Sequence, residues 1–259
     1  MLEETKTFRF TDHKSLEHTN KRLDTTIVNI PDLEFIFKER TFLDSKKVDQ
    51  KYNVKRNAQL KFSNRLLKRG FDIVFSLSAI VLIGSWVFPI LAILVMFDSK
   101  GSAFYIQKRS GRNNMVFNCL KFRTMKCNQQ DSFRPATKGD DRITRLGYFL
   151  RKTSLDELPQ LFNVLSGEMS IVGPRPHAIE TDLEYKKMVL KYDYRLAVKP
   201  GITGLAQSKG YRGETFKPKD MGNRIRIDIF YIENWSFVFD LKIIALTAYN
   251  LIKGDKNAY

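Results

Sequence analysis

The sequence predicts a mainly helical α+β protein: a re-entrant membrane helix, a small cytosolic domain with a β-hairpin, and amphipathic helices at the membrane interface. Three observations carry this prediction. Ile73 to Phe97 holds no charged side chain. Two short extended segments flank a turn at Gly111. Helical periodicity dominates most of the chain beyond Ile143. The chain accordingly divides into a soluble N-terminal extension or linker over 1–64, a membrane-embedded helix over 65–100, and a cytosolic domain with interfacial C-terminal helices over 101–259.

Residues 1–64 are charged and weakly patterned, and they show no chemistry. Met1 to Phe10 carries Glu3, Glu4, Lys6 and Arg9 without an apolar run, so no signal peptide is expected and the bulk of the chain is assigned to the cytosol. The apolar run beginning at Ile73 is long enough to cross a hydrocarbon core. Its flanks conflict with a simple span. Lys61, Arg65, Lys68 and Arg69 precede it, while Lys100, Lys108, Arg109 and Arg112 follow, so both ends claim the cytoplasmic side. Pro89 interrupts the backbone ladder, and Gly84 and Ser85 lie one turn earlier. A helix that enters, breaks near Pro89 and returns to the same face satisfies both flanks, with Ser85 available to serve a freed backbone group.

After the turn at Asp98–Gly101, Ala103–Gln107 and Met115–Phe122 read as hairpin strands. Residues 127–141 are polar and loop-like, and Ile143–Leu165 is helical with an interruption at Pro159. Residues 178–198 read as one amphipathic helix closed by Pro200-Gly201. From Ile225 to Lys253, aromatics at Phe230, Tyr231, Trp235, Phe237 and Phe239 mix with charge, which suits an interfacial helix. Periodicity alone allows a soluble core helix equally well.

Lys and Arg number 44 against 28 Asp and Glu, a net charge of +16, which favours polyanionic partners. Nucleic acid is disfavoured, because no recognition motif is present and the uncharged run has no use there. Cys119 and Cys127 are too few for a disulfide scaffold, and His13, His18 and His177 form no ligand cluster, so no transition-metal site is expected.

The chemistry concentrates between Arg142 and Pro159, where Arg142, Arg145, Arg151 and Lys152 lead into adjacent Asp156 and Glu157. Ser154-Leu-Asp-Glu157 also fits a capping box, which would spend these residues on the helix itself. Pro159 argues against that, since it would fall at the fifth helical position. A helix starting nearer Pro159 leaves both carboxylates ahead of its first turn, in an anion-attracting setting. Neighbouring cations keep an aspartate ionised, an aspartate can attack phosphorus, and an adjacent glutamate can hold Mg²⁺. Lys121-Phe-Arg123 and Gly173-Pro-Arg175-Pro176 point to the same kind of ligand.

Several motifs together resemble the bacterial sugar transferase family, the monotopic polyprenyl-phosphate phosphoglycosyl transferases. They are Lys68-Arg-Gly-Phe-Asp72, Lys121-Phe-Arg-Thr-Met125, Arg142-Ile-Thr-Arg145, Lys152 to Gln160, and Gly167 to Pro176. Lys199 to Gly204, Asn234-Trp-Ser236, Asp240 to Ile244 and the closing Asn257-Ala-Tyr259 resemble the longer, hexose-handling branch. The resemblance implies transfer of hexose-1-phosphate from a UDP-sugar, UDP-glucose or UDP-galactose, to undecaprenyl phosphate at the cytoplasmic face of the bacterial inner membrane. That step initiates exopolysaccharide, capsule or O-antigen synthesis. It implies Asp156 as nucleophile and Glu157 as Mg²⁺ ligand. Arg151 and Arg175 would bind phosphate, with Arg142 and Arg145 in the same cationic set, and Lys121 or Arg123 would lie near the polyprenyl phosphate. The apolar run becomes the family's re-entrant helix. Members of the longer branch usually carry further transmembrane helices, which residues 1–64 do not supply. Many relatives place Ser before the kinking Pro, whereas this chain has Phe88-Pro89. A non-catalytic scaffold of polysaccharide assembly is the competing class, and a homo-oligomer is compatible with the sequence.

Overall fold

A computed structural model describes residues 61–126, 136–137, 139–189, 191–211 and 218–254. The expectations for residues 1–60, Cys127, most of the polar stretch after it, and Asn257-Ala-Tyr259 lie outside the described residues. The fold is mainly helical with two small two-stranded sheets.

Helix α1 (Phe62–Ala79), a π turn (Ile80–Gly84) and helix α2 (Ser85–Asp98) join end to end without a loop. Together they make the one helix among the described residues that is long and apolar enough to cross a membrane. Its polarity is inverted. Lys68, Asp72 and Ser76, spaced four apart and hence on one face, are buried, while Val74, Leu77, Val81, Leu82, Trp86 and Phe97 are exposed. So large an apolar face calls for an apolar surrounding.

The irregularity expected near Pro89 falls just upstream of it. Helical backbone continues through Pro89, and the irregularity lies one turn earlier, in the π turn. Proline offers no N–H to the carbonyl four residues back and crowds it, so the preceding turn widens. Ser85 Oγ donates to Val81 O at 2.8 Å and Trp86 Nε1 to Leu82 O at 3.0 Å, supplying the carbonyls of that turn. Phe88 packs on Phe122 and Phe162, at centroid distances of 5.9 and 5.6 Å, and pins α2 to the domain.

The hairpin forms as expected, with a longer first arm and a second arm one residue shorter. Strand β1 (Phe104–Ser110) pairs antiparallel with β2 (Val116–Phe122), in a register that sets Tyr105 opposite Lys121. Helix α3 (Arg145–Thr153) starts at Thr144, whose Oγ1 accepts from Gly147 N at 2.9 Å. Gly147 is required by close approach: a Cβ there would sit 2.0 Å from Thr124 O. A 3₁₀ turn (Leu155–Glu157) precedes α4 (Gln160–Ser166), whose last carbonyls, Val164 O and Leu165 O, accept from Arg69 at 2.6 and 2.7 Å.

Strand β3 (Ser170–Val172) pairs parallel with β4 (Gly201–Thr203). The single helix expected over 178–198 is instead α5 (Ile179–Met188) and a 3₁₀ segment (Tyr192–Ala197), parted near Lys191, which has φ +66°. The break lets Tyr192 turn inward to His177 and Asp182. Helix α6 (Leu205–Ser208) comes after β4. The C-terminal stretch is two helices, α7 (Pro218–Glu233) and α8 (Phe237–Lys253), with Ser236 capping the second. Tyr231 and Trp235 are buried core residues, not interfacial ones, because Asp240 accepts from the Tyr231 hydroxyl at 2.8 Å and Trp235 Nε1 at 3.0 Å. Val238, Leu241, Tyr249, Leu251 and Ile252 on α8 remain exposed.

The membrane helix is fastened to this core by charge. Lys68 Nζ lies 2.6 Å from Asp240 Oδ2 and donates to Val172 O at 3.0 Å. Asp72 Oδ1 accepts from Ser170 Oγ at 2.9 Å and Ile171 N at 3.0 Å. Removing one partner of a buried pair strands the other. Asp240→Ala is therefore expected to cost about 3–5 kcal/mol in denaturant unfolding of the detergent-solubilised protein, and Gly147→Ala about 1–3 kcal/mol by overpacking. A loss below about 1 kcal/mol for Asp240→Ala would mean that the pair does not hold the helix.

Candidate active site

Ser154 does not open a helix. It closes α3 with φ +59°, its side chain caps nothing, and its backbone N–H reaches back to Arg151 O at 3.2 Å. The capping-box alternative is thereby set aside. This left-handed residue reverses the chain, and the next turn, the 3₁₀ turn, carries Asp156 and Glu157 ahead of α4, as expected from Pro159, which is the residue before its first turn.

Glu157 is the fixed member of the pair. Lys121 Nζ donates to its Oε1 at 2.6 Å. Arg175 clasps it with two bonds, Nη2 to Oε1 at 2.7 Å and Nη1 to Oε2 at 3.2 Å. Asp156 is differently placed. It is 7% exposed, and its nearest cation is Lys121, 3.7 Å from Oδ2. Among the described residues no hydrogen bond to its carboxylate is made, so it is not spent on its own turn.

These surroundings drive the two carboxyls apart. Burial pushes Glu157 up, but Arg175 and Lys121, by charge and hydrogen bonds, hold it well below the usual carboxylate range. Burial also pushes Asp156 up, and there the opposing pull of Lys121, Arg151 and Arg175 does not win, since ionised Glu157 adds repulsion. The nearby cations do act on Asp156, but burial outweighs them and its carboxyl sits above the ordinary aspartate value. Arg175, paired with Glu157, is held above its ordinary value.

Asp156, Glu157, Lys121 and Arg175 come together, with Arg151 close enough to act on Asp156 and bonded through Nε to Thr124 Oγ1 at 2.9 Å. The other three expected residues are placed differently. Arg123 is buried and donates to Ser99 O at 2.5 Å and Val95 O at 3.3 Å, closing the end of α2. Arg142 grips Asp140, with Nη2 2.6 Å from Oδ2, and holds that carboxyl far below its usual range. Arg145 is exposed on the first turn of α3.

Two residues that the sequence did not single out set the arginine turn. Arg109 Nη1 donates to Pro176 O at 2.6 Å, and Arg195 Nη2 donates to Arg175 O. Arg195 is buried, bonded to Asp228 Oδ2 at 3.2 Å and to His177 Nδ1 at 2.8 Å. Burial and the surrounding arginines press His177 well below its ordinary value, so it is neutral and accepts from Arg195. No local signal marks Arg195 in Tyr-Asp-Tyr-Arg; its partners are distant in sequence.

For a divalent ion, the donor set among the described residues is these two carboxylates, with no larger His/Cys/Asp/Glu group. That fits Mg²⁺, which takes one or two carboxylates beside substrate phosphates. Glu157 Oε2 accepts a single bond, at 3.2 Å, and retains a lone pair.

Fold and site define a domain bound to a long helix with an exposed apolar face, with a buried carboxylate pair set among cations beside it. The chain belongs to the bacterial sugar transferase family, which it matches over residues 63–254. It is 47% identical over 186 residues to a UDP-glucose:undecaprenyl-phosphate glucose-1-phosphate transferase of Xanthomonas campestris pv. campestris, an overlap of 71% of this chain and 38% of that protein. With the exopolysaccharide production protein PSS of Rhizobium leguminosarum bv. phaseoli it shares 44% identity over 184 residues, 69% of this chain and 92% of the relative. With a UDP-galactose-lipid carrier transferase of Erwinia amylovora it shares 40% over 217 residues, 77% and 43% respectively. The matched part thus spans less than half the length of the Xanthomonas and Erwinia relatives.

In a carbon-13 carboxyl titration, Asp156 is expected to protonate above the ordinary aspartate range and Glu157 below the ordinary glutamate range. Lys121→Met removes a cation that lowers both, so both titrations move to higher pH. An Asp156 titrating below the ordinary range would contradict the dominance of burial.

Proposed function

We propose that this chain transfers hexose-1-phosphate from a UDP-sugar, UDP-glucose or UDP-galactose, to undecaprenyl phosphate at the cytoplasmic face of the bacterial inner membrane, initiating exopolysaccharide synthesis. One observation carries the reading: Asp156 is buried, free of any hydrogen bond among the described residues, and next to a glutamate already fixed by two cations. The names of the relatives supply the substrate class.

The proposed route has two displacements. A carboxylate oxygen of Asp156 attacks the sugar-bearing phosphorus of the UDP-hexose; the bond to UMP breaks, and UMP leaves with its electron pair. A phosphate oxygen of undecaprenyl phosphate then attacks the same phosphorus, the acyl-phosphate bond breaks, and the Asp156 carboxylate is regenerated. Arg175 and Lys121 meet negative charge on the phosphates, and Glu157 keeps both cations oriented. Mg²⁺ held by Glu157 would supply further neutralisation of the diphosphate.

Re-entry of the membrane helix belongs to the same proposal. The helix has 37 residues, about 55 Å at 1.5 Å per residue, against a hydrocarbon core of about 30 Å. Both of its ends rest on one domain: Lys68 and Asp72 on β3 and α8, Val95 and Ser99 on Arg123 at the end of β2. A full crossing would carry one end away from that domain. The shared footing supports a helix that enters and leaves on one side, and the exposed apolar residues of α8 support an interfacial lie for that helix.

Incubating the purified protein with UDP-hexose and Mg²⁺, without acceptor, is expected to release UMP and add the mass of one hexose-phosphate to Asp156. Asp156→Asn should abolish both while leaving the unfolding transition in place; turnover without label would contradict the covalent route. For topology, cysteines replacing the exposed Arg65 and Lys100, in a Cys127→Ser background, should react with an impermeant maleimide from the same side of the membrane. Reaction from opposite sides would mean a full span.

A further inference from the structure

The hairpin face that carries Lys121 contains one more residue with an unassigned job. Residues directly opposite in an antiparallel pair share a face, with Cβ atoms about 4.5–5.5 Å apart. The stacked pair Phe104 and Phe122, 5.3 Å between centroids, marks one face, and it meets Phe88 of α2. The opposite face holds Lys121 and its register partner Tyr105, then Gln107 and Arg109 further along β1.

Two members of that row are engaged. Gln107 Oε1 accepts from Arg109 Nη2 at 2.8 Å, and Arg109 Nη1 reaches Pro176 O beneath the arginine turn at 2.6 Å. Tyr105 is the open end: 47% exposed, with no side-chain hydrogen bond or ring contact among the described residues. It comes directly after Phe104, and Ala103 O accepts from Arg123 N at 2.9 Å, which ties this end of β1 to the arginine closing α2. The row therefore runs from Arg109, beneath the arginine turn, to Tyr105 near the end of α2, with Lys121 beside Tyr105 and joined to Arg175 through Glu157.

We propose that Tyr105 is the acceptor-side specificity residue: its ring packs against the first isoprene unit of the polyprenyl phosphate while the lipid's phosphate meets Lys121. This rests on the transfer proposed above. Arg175 and Lys121 meet on one oxygen of Glu157, and Tyr105 lies across from Lys121 at the end of β1 that is tied to the end of α2, so its exposed ring serves the partner that arrives from lipid. Tyrosine suits such a boundary, with an apolar body and a hydroxyl that stays wet.

The two half-reactions separate the possibilities. Label on Asp156 and UMP release are measured with UDP-hexose alone, and discharge of the labelled protein is measured against undecaprenyl phosphate. Tyr105→Ala is expected to raise the acceptor KM about tenfold, the size of one well-packed ring contact, and to change the labelling rate less than about twofold. Tyr105→Phe, which keeps the ring, should restore the acceptor KM. The position is half-open, so the alanine variant should fold, which the unfolding transition checks. An unchanged acceptor KM, or equal losses in both half-reactions, would overturn the assignment and leave the transfer reading intact. Failure of the unaltered protein to take up label would overturn that reading itself.

Discussion

The geometry of the site depends on a single carboxylate, that of Glu157, held by two cations from different parts of the chain. Lys121 arrives from the hairpin and Arg175 from the turn after β3, and both end on Oε1, at 2.6 and 2.7 Å. Three segments far apart in sequence are thereby tied at one point. Such a tie is low in net stability, because burying three charges costs nearly what their attraction returns. Its value is positional. With Glu157 Oε1 shared by both cations, Lys121 is oriented toward Asp156, and Asp156 is the carboxyl left without a hydrogen bond among the described residues.

The arginine turn is in turn held from behind. Arg109 and Arg195 donate to the carbonyls of Pro176 and Arg175, and Arg195 is braced by Asp228 and by a neutral His177. A protonated His177 would present a further positive charge to Arg195 and Arg224, and burial together with those charges forbids it. The basic character of this chain is thus partly internal: arginine serves as a backbone brace as well as an anion ligand. Net charge alone therefore overstates how many cations face a substrate.

Features set by local periodicity were legible in the sequence. The uncharged run, the hairpin around Gly111, and the carboxylates placed ahead of a helix at Pro159 all arise from patterns a few residues long. Features set by distant partners were not. Arg123 and Arg142 look like phosphate ligands in their motifs, and the partners the sequence did not reveal are the end of α2 for one and Asp140 for the other. The aromatics Tyr231 and Trp235 read as interfacial until Asp240 is seen to gather them inward. Pro89 signalled a break, but the helix relieved the strain one turn upstream, where Ser85 and Trp86 could serve the carbonyls. Membership of the bacterial sugar transferase family explains why whole motifs were readable even where single side chains were not.

The raised Asp156 is the point where structure adds most to the sequence argument. A cluster of cations suggests a permanently ionised nucleophile, but a low-lying carboxylate is also a weakly basic one. Burial makes Asp156 a stronger base than an exposed aspartate and removes its competing hydration, while Glu157 beside it stays charged. In the proposed transfer this division suits two successive displacements. The same oxygen must first attack phosphorus and then leave it, so it has to serve both as nucleophile against UMP and as leaving group against the lipid's phosphate oxygen. Burial raises this carboxyl, and Lys121 at 3.7 Å opposes the rise. Moving the cation closer would favour departure and hinder attack, and withdrawing it would do the reverse. In the proposed transfer, the looseness of that one contact, beside the tight bonds on Glu157, leaves Asp156 able to serve in both displacements.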